Sequence, residues 1–178
     1  MNVKLNIKFD DPELKNQIVN FTLTNYLNPK YFVCNGFDST QKRYFSKILN
    51  HSLEFTDQLK RSRINFFKSI GIDKFKEEPY FGIFIGLNLE GGFVQPHTDL
   101  CTKGFVHTRI NFLLSKPDQG GNPLIEDQEI HIEEDCAWLN LASRWQHSST
   151  PVMGNKPRIV ISYGAFVSEE IIDSLNLV

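Results

Sequence analysis

The sequence predicts a mainly β protein with N-terminal helices, its strands forming a double-sheet jelly roll or a barrel. Three observations carry this. The 178 residues are 40% hydrophobic and 22% charged, the composition of a soluble globular chain long enough for one sizeable core. Apolar residues before about residue 78 recur at helical spacing. From Tyr80 onward, about seven or eight short β-branched and aromatic segments alternate with Gly/Pro/Asn turns. The expected organisation is a single domain over residues 1–178, with a helical part at 1–78 packed on a β core at 79–167.

Asp10-Asp11-Pro12 starts the first helix, with Pro in the first turn and acids at the positive end of the dipole. Leu14, Ile18 and Phe21 follow at helical spacing. Asp38-Ser39-Thr40 supplies cap residues for a second helical stretch carrying Tyr44, Ile48, Leu53, Leu59, Ile64 and Phe67, which Gly71 ends. The predicted strands are residues 79–89, FVQPHTDL, VHTRINFLL, EIHIE, CAWLNLA and PRIVISYGAF. Turn chemistry at Gly91-Gly92, at 116–123 and at 154–157 separates them. Fifteen Phe predict a well-filled aromatic core.

A net charge of −2 gives no global case for nucleic acid. Residues 1–80 hold 13 Lys/Arg against nine Asp/Glu, but the basic stretch from Lys42 to Lys76 reads as a solvated helix face. Cys34, Cys101 and Cys136 are odd in number and widely spaced, against a disulfide framework or a Cys-based zinc site. There is no signal peptide and no apolar run of about 18 residues, so no membrane is expected and the cytoplasm is the expected location.

The stretch Gln95-Pro96-His97-Thr98-Asp99-Leu100 is the chemical signal. On a strand, His97 and Asp99 share a face and Thr98 points away. An imidazole and a carboxylate on one face, with a second histidine from a distant strand, suit a non-haem Fe(II) site with open positions. An Asp hydrogen-bonded to a neighbouring His as a structural pair is the alternative. Of the remaining histidines, His51 reads as an exposed helix residue and His131 as part of a solvated face. His107 is either behind the site or merely at a strand end. His147, in a polar segment 50 residues after His97, is the choice for the third ligand. Arg158 opens an apolar strand, where it either meets an anion or snorkels to water.

These residues resemble the Fe(II)/2-oxoglutarate-dependent oxygenases. The order His97-Thr98-Asp99, then His147, then Arg158 a further 11 residues on, fits that family's pattern, as does the Gly120-Gly121 turn ahead of Pro123. The resemblance covers roughly residues 80–167 and looks closest to small prolyl or aspartyl/asparaginyl hydroxylases. It implies a double-stranded β-helix, a cupin-like jelly roll, over 79–167. It implies Fe(II) held by His97, Asp99 and His147, 2-oxoglutarate bound at its distal carboxylate by Arg158 with Ser162 as helper, and O2 as oxidant. The implied reaction hydroxylates a C–H bond of a protein side chain or amino acid, with succinate and CO2 as co-products. The Arg–Ser spacing is longer than in some branches. The presence of Asp99 favours hydroxylation over halogenation.

Arg109 and Asn111 share a face of the strand after the motif. Facing inward, they would bind the cosubstrate's other carboxylate or the substrate; facing outward, they are surface residues. Gln95 is a candidate hydrogen-bonding neighbour of His97, and Trp145 is either a pocket wall or a core residue. A non-redox cupin-like metalloenzyme and a non-catalytic jelly-roll binding module are the alternative readings.

Overall fold

The computed structural model describes residues 3–34 and 42–175. The chain runs β1 (Lys4–Lys8), α1 (Pro12–Asn25), β2 (Val33–Cys34), β3 (Arg43–Lys47), a 3₁₀ turn (Ile48–Asn50), α2 (Thr56–Ser69) and β4 (Ile83–Asn88). It continues with β5 (Phe105–Ser115), β6 (Gln119–Gly120), β7 (Pro123–Ile125), β8 (Gln128–Glu129) and β9 (Cys136–Leu141). It closes with β10 (His147–Ser149), β11 (Val152–Met153), β12 (Arg158–Ser168) and α3 (Glu169–Ser174).

Seven strands form a major antiparallel sheet in the order β1-β9-β5-β12-β4-β3-β2. Opposite it lie a minor sheet, β10-β7-β8, and a two-stranded ribbon, β11-β6. The segment 91–99 runs alongside the minor sheet through single backbone bonds, including Ser149 N–H to Val94 O at 3.1 Å and Val152 N–H to Gly92 O at 3.0 Å. This is the mainly β jelly roll with N-terminal helices that the sequence predicts.

Alternation along the two 11-residue strands β5 and β12 divides the major sheet into two chemistries. Ile110, Phe112, Ile161 and Tyr163 are fully buried. Phe112 and Tyr163 pack on Phe66 of α2 at ring separations of 4.4 and 5.3 Å. The opposite face carries Arg109, Asn111, Arg158 and Val160 into a cavity beneath the minor sheet.

Asp11 caps α1, accepting the N–H of Leu14 at 2.9 Å, as the Asp-Asp-Pro start predicts. α2 ends at Ser69, and Gly71 follows at φ +85°, which suits the expected helix stop. Three segments depart from expectation. Residues 43–47, read as helical, are a strand, because pairing with β4 overrides the local apolar period. Asp38-Ser39-Thr40 lie outside the described residues. EIHIE contributes only Glu129 to a ladder, and Asp135, at φ +65°, turns the chain back toward β9. FVQPHTDL is not a regular strand either: Pro96 has no N–H to give to a ladder, and a bridge at His97 is what remains. Among the described residues, no helix is long and apolar enough to cross a membrane.

The Tyr163 hydroxyl is fully buried without a hydrogen-bond partner, and burial pushes its ionisation well above the ordinary phenol range. Tyr163→Phe is therefore expected to keep stability or raise it by up to about 1 kcal/mol, since it removes an unsatisfied polar group. Phe112→Ala, in the same cluster, should cost about 3–5 kcal/mol. Denaturant unfolding of both variants checks this. A loss above about 1 kcal/mol in Tyr163→Phe would mean the hydroxyl has a partner.

Candidate metal centre

His97 and His147 face each other through an antiparallel bridge, exchanging backbone N–H···O bonds of 3.1 and 2.9 Å. The bridge sets their ring centroids 4.2 Å apart. Each ring leans on the backbone carbonyl two residues earlier: His97 Nδ1 on Gln95 O at 2.7 Å, His147 Nδ1 on Trp145 O at 3.1 Å. A carbonyl only accepts, so each Nδ1 carries the proton and each Nε2 presents a lone pair. Burial, with His97 beside it, lowers the His147 imidazolium to about 4, so this ring is a neutral donor at neutral pH. Asp99, anchored by its N–H to Ala142 O at 2.7 Å, sets Oδ1 3.6 Å from His97 Nε2 and 3.9 Å from His147 Nε2. The three ligand atoms lie within 4.8 Å of one another. Two neutral imidazoles and one carboxylate are the donor set that fits Fe(II) with open coordination positions.

The second oxygen of Asp99 is held from behind. Its Oδ2 lies 3.0 Å from His107 Nδ1 and 3.5 Å from Arg109 Nε. Burial alone would raise the Asp99 carboxyl; His107 and Arg109 outweigh it and hold it at about 2. Arg109 is itself buried and needs a second counter-charge. Glu78, only 2% exposed, supplies it, with Oε2 2.8 Å from Arg109 Nη2 and 3.5 Å from His107 Nε2. The Glu78 carboxylate also accepts the N–H groups of Tyr80, Phe81 and Gly82, closing the turn into β4. Burial again opposes ionisation, and His107, Arg109 and these N–H groups bring the carboxyl down to about 2. The layer fits only because residue 164 is glycine. A Cβ there would stand 2.9 Å from Arg109 Nη1 and 3.0 Å from Glu78 Oε2.

The cavity, about 430 Å³, continues from this layer to Arg158. Arg109 pairs with Gly164 across β5 and β12, six residues beyond Arg158, so the two backbone rows lie about 20 Å apart. Arg158 is 5% exposed and has no carboxylate beside it among the described residues. Its Nη1 reaches Asn88 Oδ1 at a long 3.4 Å, and its Nε has no partner. Burial, then the nearby Arg43, lowers its ionisation to about 9. The Gly120-Gly121 turn leaves room for this side chain: Gly121 has φ +66°, and a Cβ there would meet Arg158 Cδ at 2.9 Å.

His97, Asp99, His147 and Arg158 thus line one cavity, and Arg109 and Asn111 face into it. Arg109 is already engaged by Glu78 and Asp99. Ser162 Oγ accepts from Arg109 Nη1 at 3.2 Å, so it sits with the metal-side layer and away from Arg158. Gln95 reaches His97 through its backbone carbonyl, not its side chain. Trp145 is a core residue, and the tryptophan on the cavity wall is Trp138. His51 packs on Tyr31, and His131 is exposed; both stand apart from the site. Glu78 and Arg43 were not legible from sequence. The one signal pointing to Glu78 is that an inward Arg109 demands an acid.

No family model matches the chain, and no curated protein matches it either. Solved structures do. A Trichoplax adhaerens prolyl hydroxylase, in complex with a hypoxia-inducible-factor peptide fragment, superposes with a TM-score of 0.63 at 13% identity over 94% of this chain and 84% of that one. A Burkholderia pseudomallei oxidoreductase of the 2OG-Fe(II) oxygenase family gives 0.60 at 14% identity, over 89% and 79%. A viral collagen prolyl hydroxylase from Paramecium bursaria Chlorella virus-1, in complex with 2OG, gives 0.59 at 15% identity, over 92% and 93%. This chain has their fold, and the sequence resemblance holds at that level.

Glu78→Gln is expected to cost about 3–5 kcal/mol of stability, because it leaves Arg109 half-neutralised in the interior. It should also weaken Mn(II) binding by about 10–100-fold through the loosened Asp99. Metal titration and thermal unfolding check both. Acid titration of metal-free protein adds a sign test. His147 is lowered from 6.5 to about 4 and Glu78 from 4.5 to about 2, so the unfolded chain takes up both protons first. Wild-type stability should fall as pH drops through each window, and Glu78→Gln should make the lower fall, which Asp99 and Glu134 share, less steep.

Proposed function

We propose that the protein is an Fe(II)- and 2-oxoglutarate-dependent dioxygenase that hydroxylates a C–H bond of a protein side chain or amino acid, releasing succinate and CO2. One observation supports this above all: a His/Asp/His donor set and a buried arginine with no carboxylate beside it among the described residues line the same cavity. Bound Fe(II) supplies the O2 activation that is coupled to decarboxylation of 2-oxoglutarate.

The chain's own residues supply position and dryness. His97, Asp99 and His147 hold the metal, with each imidazole fixed by its Nδ1–H on a carbonyl and Asp99 fixed through Oδ2. Arg158 takes the distal carboxylate of 2-oxoglutarate and sets its reach toward the metal; a charge-assisted pair of this kind is bidentate and directional. Asn111 and Trp138 line the wall between, and Phe84, Val160 and Ile125 keep water out. Arg109, Ser162, His107 and Glu78 act behind Asp99.

At the cavity, Tyr80, Phe81 and Leu100 are 46%, 36% and 66% exposed. Exposed apolar side chains beside the cavity are in keeping with a peptide or amino-acid substrate. The peptide bound to the Trichoplax neighbour is in line with this. We place the protein in the cytoplasm, in keeping with unpaired Cys34, Cys101 and Cys136.

The test is uncoupled turnover: succinate formed from 2-oxoglutarate with Fe(II) and ascorbate, for wild type, His97→Ala and Arg158→Ala. Wild type should make succinate. His97→Ala should lose metal affinity by at least about 100-fold, and Arg158→Ala should weaken 2-oxoglutarate binding by about 30-fold or more. Absence of both turnover and Arg158-dependent binding to the Mn(II) form would leave a non-redox metalloenzyme or a binding module.

A further inference from the structure

The cavity contains three arginines with different fates. Arg109 is neutralised by two carboxylates. Arg158 and Arg43 are not, among the described residues, and they stand side by side. Asn88 on β4 is the cross-strand partner of both, Arg43 on β3 and Arg158 on β12. The three Cα atoms form one row, and two strand spacings put the arginines about 9–10 Å apart on the same face. All three side chains line the cavity. Arg158 Nε and Asn88 Nδ2 are buried donors with no acceptor. Burial lowers the ionisation of both arginines; Asp99 partly offsets this for Arg43, whereas the charge on Arg43 lowers Arg158 further.

Two guanidinium groups on one face of the cavity, with no carboxylate in ion-pair contact among the described residues, are an unfavourable arrangement, and an anion between them relieves it. A carboxylate has about four lone-pair sites, enough to accept from two guanidinium groups and the Asn88 amide. We infer that Arg43, Asn88 and Arg158 form a clamp around a single carboxylate, and that Arg43 makes the site selective for a 2-oxo acid with an anionic far end. This rests on the reading that 2-oxoglutarate binds here, and adds to it a specificity-determining residue on a different strand.

The experiment is calorimetric binding to the Mn(II)-loaded protein. The ligands are 2-oxoglutarate and 2-oxopentanoate, which has the same chain length but no distal carboxylate. The variants are Arg43→Met, Arg158→Met and the double mutant, with thermal unfolding of each ligand-free protein alongside. Arg43→Met should weaken 2-oxoglutarate by about 10–100-fold and leave 2-oxopentanoate within about twofold. Its effect should shrink when Arg158 is already Met, because both residues hold one group. Ligand-free Arg43→Met should melt at the wild-type temperature or above, since it removes a like-charge neighbour; a residue that only supports the fold would lower it. If wild type binds 2-oxoglutarate and Arg158→Met loses it while Arg43→Met binds as wild type does, the clamp is wrong and the proposed function stands. If wild type does not bind 2-oxoglutarate at all, the functional reading fails and the clamp goes with it.

Discussion

A guanidinium inside a β-sheet has to be neutralised where it lies, and Arg109 imposes that condition on the cavity. An uncompensated charge at its 4% exposure would cost several kcal/mol. Two acids come to it from different parts of the chain. Asp99 arrives on the segment that follows the His97 bridge, and Glu78 on the turn that enters β4. Because Arg109 and His107 occupy Oδ2 of Asp99, Oδ1 is the oxygen left to face the histidines. Because Glu78 gathers the N–H groups of residues 80–82, Phe81 and Phe84 are held over the guanidinium, with Arg109 Cζ 5.6 and 4.8 Å from their ring centroids. One buried charge thus orients a candidate metal ligand and part of the cavity wall.

The two ends of the cavity follow opposite rules, with β12 running through both. Near β5 and the far half of β12, acids outnumber what one arginine requires, and the surplus negative charge faces the place for a cation. At the start of β12 and across β4 to β3, donors accumulate without acceptors. A small molecule that offers chelating oxygens at one end and a carboxylate at the other matches both ends at once. The apolar stretch between them, including Val160 and Trp138, asks for a short aliphatic spacer. Helices on the reverse face leave these strands no freedom to adjust, since Phe112 and Tyr163 lock the same backbone from behind.

The sequence made the first-order site legible because its residues keep a fixed order and spacing along one chain: His97, Asp99, His147 and Arg158. What it left open has a common physical cause. Alternation tells which residues share a face and not which way that face points, so Arg109 and Asn111 stayed undecided until the helices were seen on the other side. Glu78 sits between another acid and a proline, with nothing local to distinguish it; its role appears only when Arg109 is found beside it. Arg43 was hidden by a wrong period. Tyr44 and Ile48 are spaced as on a helix, but the ladder with β4 outweighs that spacing and turns Arg43 into the cavity. The resemblance makes Ser162 a helper of Arg158; four residues along a strand is about 13 Å, and the Ser162 hydroxyl accepts from Arg109.

The three candidate ligand side chains are oriented by two unlike devices. The imidazoles are fixed locally, each by a carbonyl two residues back on its own chain and both by one reciprocal backbone bridge. This arrangement asks nothing of the major sheet and tolerates a motif that is not a strand. Asp99 is fixed at long range, by His107 and Arg109 on β5 and through them by Glu78. The carboxylate is therefore the candidate ligand through which changes in the major sheet would reach a bound metal, while the histidine pair belongs to the minor sheet and its edge. A cavity built this way ties the segment that carries the histidine bridge to the major sheet at Asp99, whose partner Arg109 lies beneath Phe81 and Phe84.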